Sequence, residues 1–116
     1  MTQAQTFAWI FYAVAGASGQ KPADFHGISI VADGINHAVP THKEMQSSLS
    51  WLCREGFVAK STQGYAVTPD GELLMKNARQ KASTTMGVWK ELTHQVEHIA
   101  NSSNQALKSD GAMPRT

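Results

Sequence analysis

Residues 39–58 read VPTHKEMQSSLSWLCREGFV, and this stretch decides the fold. Thr41 followed three residues later by Glu44 is a capping box, in which each side chain satisfies a backbone N–H at a helix start. Pro40 stands just before it, and Gly56 follows Glu55 where a left-handed C-terminal cap is expected. The spacing therefore predicts a helix over about 41–55. Met45, Leu49 and Leu52 share a face that points to a core, with Ser48 and Trp51 at its flank. Helical spacing turns His42, Lys43, Gln46, Ser47, Ser50 and Arg54 the other way, onto a polar and slightly basic outward face.

Downstream, Phe57, Val58, Ala59 and Lys60, the polar turn Ser61, Thr62, Gln63 and Gly64, and then Tyr65, Ala66 and Val67 read as a β-hairpin. Thr68 and Pro69 supply an N-cap and a first-turn proline for a helix to about Lys81, with Leu73, Leu74 and Ala78 as its packing residues. A last helix is expected over about 84–102. Its Trp89, Leu92, Val96 and Ile99 recur at spacings of 3, 4 and 3, a seam suited to antiparallel packing or to pairing with another chain. The Ser, Asn, Gly and Pro content beyond Asn101 predicts a disordered tail over 103–116.

Upstream, residues 6–17 form a helix that is apolar on two sides. Phe7, Ile10, Phe11 and Val14 make one stripe, and Trp9, Tyr12 and Ala13 make another, so the helix needs two things to pack on. Gly16, Gly19 and Pro22 end it, and Asp24 caps a second helix whose Phe25, Ile28, Val31, Ala32 and Ile35 share a face and which ends near Asn36. No Lys or Arg precedes the apolar run at 7–17, and the run is too short to span a bilayer, so a buried helix is expected rather than a signal peptide or membrane anchor.

The 116 residues, 41% hydrophobic and 16% charged, suit one domain without a separate catalytic unit. The formal net charge of +1 is unevenly spread, with −1 over residues 1–59 and +3 over residues 60–90. A single cysteine, Cys53, excludes a disulfide-stapled scaffold and fits a reducing cytoplasm. It reads as a packed thiol, with redox sensing as the alternative.

The order of helix, helix, turn, capped helix, hairpin, helix and long C-terminal helix resembles that of winged helix-turn-helix regulators. Three segments carry the resemblance: Ile35 to Thr41 at the turn, Leu49 to Val58 at the helix-to-strand junction, and Gly64 to Gly71 after the hairpin. The last two are similar to the L-x-x-L-x-x-x-G-x-V and Y-x-[VL]-T-x-x-G patterns of MarR-like and PadR-like regulators. The resemblance spans roughly residues 5–100. It implies a mainly α fold with a small β-hairpin, a winged helix domain over 1–100 including a C-terminal dimerisation helix at about 84–102, and a bacterial-type transcriptional regulator. Its partners would be duplex DNA and a second copy of the chain.

On that reading Lys43 and Gln46 meet base edges in the major groove, since Gln pairs with adenine and Lys reaches guanine. Thr41, His42, Ser47 and Ser50 meet phosphates, and Lys60, Ser61, Thr62 and Gln63 contact the backbone or the neighbouring minor groove. The expected dimer interface joins Phe7, Ile10 and Phe11 of the first helix to Trp89, Leu92, Val96 and Ile99 of the last. A winged-helix module that binds another protein without touching DNA shares all the architectural residues and is the alternative.

Catalytic signals are thin, and no enzyme activity, cofactor or metal is expected. His94, Glu97 and His98 match H-x-x-E-H, the inverted zinc-protease motif, yet a further carboxylate ligand could come only from Asp110, and Val96 belongs to the apolar seam. The default reading is surface or interface histidines. Gly16 to Lys21 departs from phosphate-loop spacing and follows a helix where a strand is required. Ser-His-Asp signatures are missing, and His37 reads as a turn residue.

Overall fold

In the computed structural model, which describes the backbone of residues 1–112 and the side chains of residues 1–102, helix α1 (Gln3–Ala17) is the element on which three of the other helices pack. It is followed by α2 (Phe25–Asn36), α3 (His42–Arg54), the strands β1 (Val58–Ser61) and β2 (Gly64–Val67), α4 (Pro69–Lys81) and α5 (Thr85–Ala112). The fold is mainly helical with one small antiparallel hairpin.

The two apolar stripes of α1 have two sets of partners, as a helix without a polar face requires. Phe7 to Phe11, Ala13 and Val14 are all buried, and α1 packs against α2, α3 and α5. Two indoles fix this arrangement. Trp9 Nε1 donates to the Ala32 carbonyl of α2 at 2.8 Å, and Trp89 Nε1 of α5 donates to the Gln5 carbonyl of α1 at 2.9 Å. Their rings lie 6.4 Å apart, while Phe7 stacks on Trp51 of α3 at 5.0 Å.

This packing corrects the expected dimer seam. Phe7, Ile10, Phe11, Trp89, Leu92 and Val96 are buried within a single chain, and Ile99 is half-buried against the same core. The 3-4-3 spacing of α5 is satisfied internally by α1 and α4, so a second copy would have to meet other surfaces.

Capping sets most helix ends. Thr41 and Glu44 form the anticipated box on α3, with Glu44 N–H donating to Thr41 Oγ1 at 3.0 Å and Thr41 N–H donating to Glu44 Oε1 at 2.9 Å. Asp24 caps α2 and Thr68 caps α4, with Pro69 in its first turn. A second box, Thr2 with Gln5, starts α1 three residues before the 6–17 reading placed it. Gly56 takes the left-handed conformation after α3 at φ 85°, and His37 does the same after α2 at φ 55°.

Several details differ from the sequence reading. Ser48 and Trp51, expected at the flank of α3, are buried, because α1 covers a wider arc of the helix than three apolar residues mark out. On α4 the buried set is Gly71, Leu74, Met75 and Ala78, whereas Leu73 is 58% exposed, on the other side of the helix from that stripe. Helix α5 continues to Ala112 rather than ending near Ser102. The tail expected over 103–116 lies outside the described residues for its side chains, and wholly so from residue 113.

The strands pair from Val58↔Val67 to Ser61↔Gly64, so the turn narrows to Thr62 and Gln63. The other edge of β2 is occupied by one residue of the α1–α2 connection. Ala23 and Tyr65 exchange two backbone hydrogen bonds of 2.8 Å each, an isolated bridge that gives β2 a neighbour on both sides. Gly64 is required there: its φ is 136°, and a Cβ would overlap the Ala23 carbonyl.

Candidate nucleic-acid interface

The inward residues of α3 lock it to α1, which leaves the opposite face free. Thr41, His42, Lys43, Gln46, Ser47 and Ser50 are all exposed, as are Lys60, Ser61, Thr62 and Gln63 of the hairpin. Each of the ten positions expected to meet DNA therefore lies at the surface. Arg54, in the last turn of α3, is exposed as well.

Gln46 and Ser50 form a crest on α3 between two hollows. On the hairpin side, a hollow of about 270 Å³ has Phe25, Leu49, Cys53 and Tyr65 in its wall, with Gln46, Ser50 and Lys60 around them. On the α5 side, a larger hollow of about 560 Å³ is bordered by Gln3, Ser47, Arg54 and Ala100, with Phe7 and Trp51 beneath. Of the ten expected residues, Thr41 caps α3, five lie on it and four belong to the hairpin, and the first hollow brings Gln46 and Ser50 of the helix to Lys60 of the hairpin.

The spacing between hairpin and helix is held by Phe25, the first residue of α2. Its ring stacks on Tyr65 of β2 at 5.9 Å and meets His42 of α3 edge-on at 6.0 Å. Tyr65 in turn carries the Lys60 ammonium 5.9 Å from its ring centroid, a cation–π distance. At the tip, Gln63 N–H donates to Ser61 Oγ at 3.2 Å, and the Ser61 hydroxyl donates to the Gly64 carbonyl at 3.3 Å. The ring of Phe25 and the backbone of Ala23 thus tie an otherwise isolated two-stranded ribbon to the helical body, which such ribbons need in order to be stable.

Sequence reading missed this bracket. Tyr65 was legible as a strand anchor, but the single-residue bridge at Ala23 has no periodicity to find. The role of Phe25 depends on contacts 17 and 40 residues away along the chain.

Burial pushes the Cys53 thiol up from its ordinary pKa, partly offset by the nearby Lys60 charge. Such a thiol stays protonated and weakly nucleophilic, which favours packing over redox sensing. His94, Glu97 and His98 are exposed on α5, and among the described residues no three His, Cys, Asp or Glu side chains converge to hold a metal ion. Among the described residues no helix is long and apolar enough to cross a membrane. No family model, curated protein or solved structure matches the chain.

Proposed function

We propose that the chain is a transcriptional regulator of winged-helix architecture that binds duplex DNA, with α3 in the major groove and the hairpin as its wing. The observation that carries this reading is that all ten candidate contact residues are exposed, with Gln46 and Ser50 of α3 and Lys60 of the hairpin bordering one hollow. The element order supports it, and the isolated Ala23 bridge sets one extended residue beside β2 between the first two helices.

An α-helix fits a major groove about 12 Å wide, and the free N–H groups at its start attract phosphate. Lys43 and Gln46 stand early on α3, where a recognition helix touches base edges. Thr41, His42, Ser47 and Ser50 flank them as phosphate contacts, and Lys60 with Ser61, Thr62 and Gln63 grips the adjoining backbone. The net charge of +1 gives little general attraction, so two copies on one duplex would double the cationic contacts. With the α1–α5 seam used inside each chain, such a pair would meet through other surfaces.

Selection on random duplex DNA tests the reading. The wild type is expected to enrich a defined motif, and the Lys43→Ala, Gln46→Ala double variant to lose it while keeping its fold, since both side chains are exposed. Failure of the wild type to enrich any duplex would point to the interaction-module alternative, in which the same face meets a protein.

A further inference from the structure

We infer that the hollow between α3 and the hairpin is a receptor for the 5-methyl group of thymine, so that the site prefers an A·T pair opposite Gln46. This rests on the duplex-binding reading above.

The two hollows beside the crest differ in chemistry. The one on the α5 side is bordered by Arg54, Gln3 and Ser47, groups that suit phosphate or water. The one on the hairpin side is walled by the rings of Phe25 and Tyr65, the Leu49 side chain and the Cys53 thiol. Burial keeps that thiol protonated, so the wall carries no charge of its own. The Lys60 ammonium, held over the Tyr65 ring, is the cation at this hollow's edge, with the Gln46 amide and the Ser50 hydroxyl beside it.

Among the groups that a base pair displays in the major groove, the thymine methyl is the apolar one. A concavity walled on one side by the Phe25 and Tyr65 rings, Leu49 and the Cys53 thiol, with an amide at its rim, is complementary to that methyl next to an adenine edge. The Gln46 carboxamide offers one acceptor and a donor pair, the set that matches adenine N6 and N7. A G·C pair in the same place would present two acceptors to Gln46 and bring a polar amino group in place of the methyl. The Phe25–Tyr65 stack gives the wall a fixed shape, and Lys60 then lies where the phosphate of the bound strand can balance its charge.

Deoxyuridine, which differs from thymidine only by the missing methyl, isolates the effect. With the full chain and the duplex recovered by selection, each thymine is replaced in turn and affinity is measured by equilibrium competition. At one thymine, on or beside the pair opposite Gln46, the replacement is expected to weaken binding about four-fold, the worth of one buried methyl. Changing that pair to G·C is expected to cost about ten-fold or more, and Gln46→Ala to remove most of this second discrimination. A selected site without thymine, or deoxyuridine duplexes that all bind as tightly as the parent, would overturn the inference while leaving duplex binding intact. Absence of binding to any duplex would overturn the functional reading as well.

Discussion

Helices α3 and α5 carry the same kind of apolar stripe, Met45, Leu49 and Leu52 on one and Trp89, Leu92 and Val96 on the other, and both stripes are buried in a single chain. They differ in what lies opposite. Helix α3 turns a polar, mildly basic crest outward beside a hairpin that is braced toward it, whereas the outward side of α5 carries the loosely arranged His94, Glu97 and His98. Apolar periodicity states that a face is covered without stating by what. A seam with coiled-coil spacing therefore reads equally well as an interface between copies or as one wall of a core, and here it is the wall.

Removing Trp9, the residue that joins α1 to α2 while contacting Trp89 of α5, tests this interior side most severely. Trp9→Ala leaves a large void and removes the indole hydrogen bond to the Ala32 carbonyl, and urea denaturation is expected to show a loss of about 3–5 kcal/mol. A Trp9→Ala variant that keeps the wild-type midpoint would mean that this seam is not the core of a single chain, and the contrast between the two helices would collapse.

Ser48 offers a smaller and sharper test, on the boundary between the inward and outward sides of α3. Its hydroxyl is fully buried and has no hydrogen-bond partner. Ser48→Ala removes that unpaired group and raises helix propensity, so stability is expected to rise by about 1 kcal/mol. The exposed neighbour Ser47 should tolerate the same change with a shift of less than about 0.5 kcal/mol. Destabilisation by Ser48→Ala would show that the hydroxyl does have a partner in solution.

The parts of the fold legible in the sequence were those set by local chemistry. Thr41 with Glu44, Thr68 with Pro69, Asp24 and Gly56 each satisfy or release a backbone group within a few residues, and all four mark an element end in the structure. The Thr2–Gln5 box had the same signature and was passed over because the apolar run begins later. Long-range choices left weaker traces. Nothing in a stripe of spacing 3 and 4 says that α5 folds back on α1, or that Leu73 points to solvent while Met75 points inward.

The site shows the same division. Helical phase alone puts Lys43, Gln46, Ser47 and Ser50 at the surface, because the opposite side is needed for burial. The hollow itself was not legible, since it arises where Phe25, Leu49 and Tyr65 meet from three elements distant in the chain. Surface residues carry no period of their own, so their chemistry has to be read from the neighbours that the fold brings to them.

The salt dependence of duplex affinity tests the central claim most directly. Each phosphate contact made by a cation steepens the fall of log K with log salt by about 0.9. The wild type should therefore show a steep negative slope, and Lys60→Ala should make it shallower by about one while leaving thermal stability unchanged. A wild-type affinity insensitive to salt, or a Lys60→Ala slope equal to that of the wild type, would contradict a duplex lying against α3 and the hairpin.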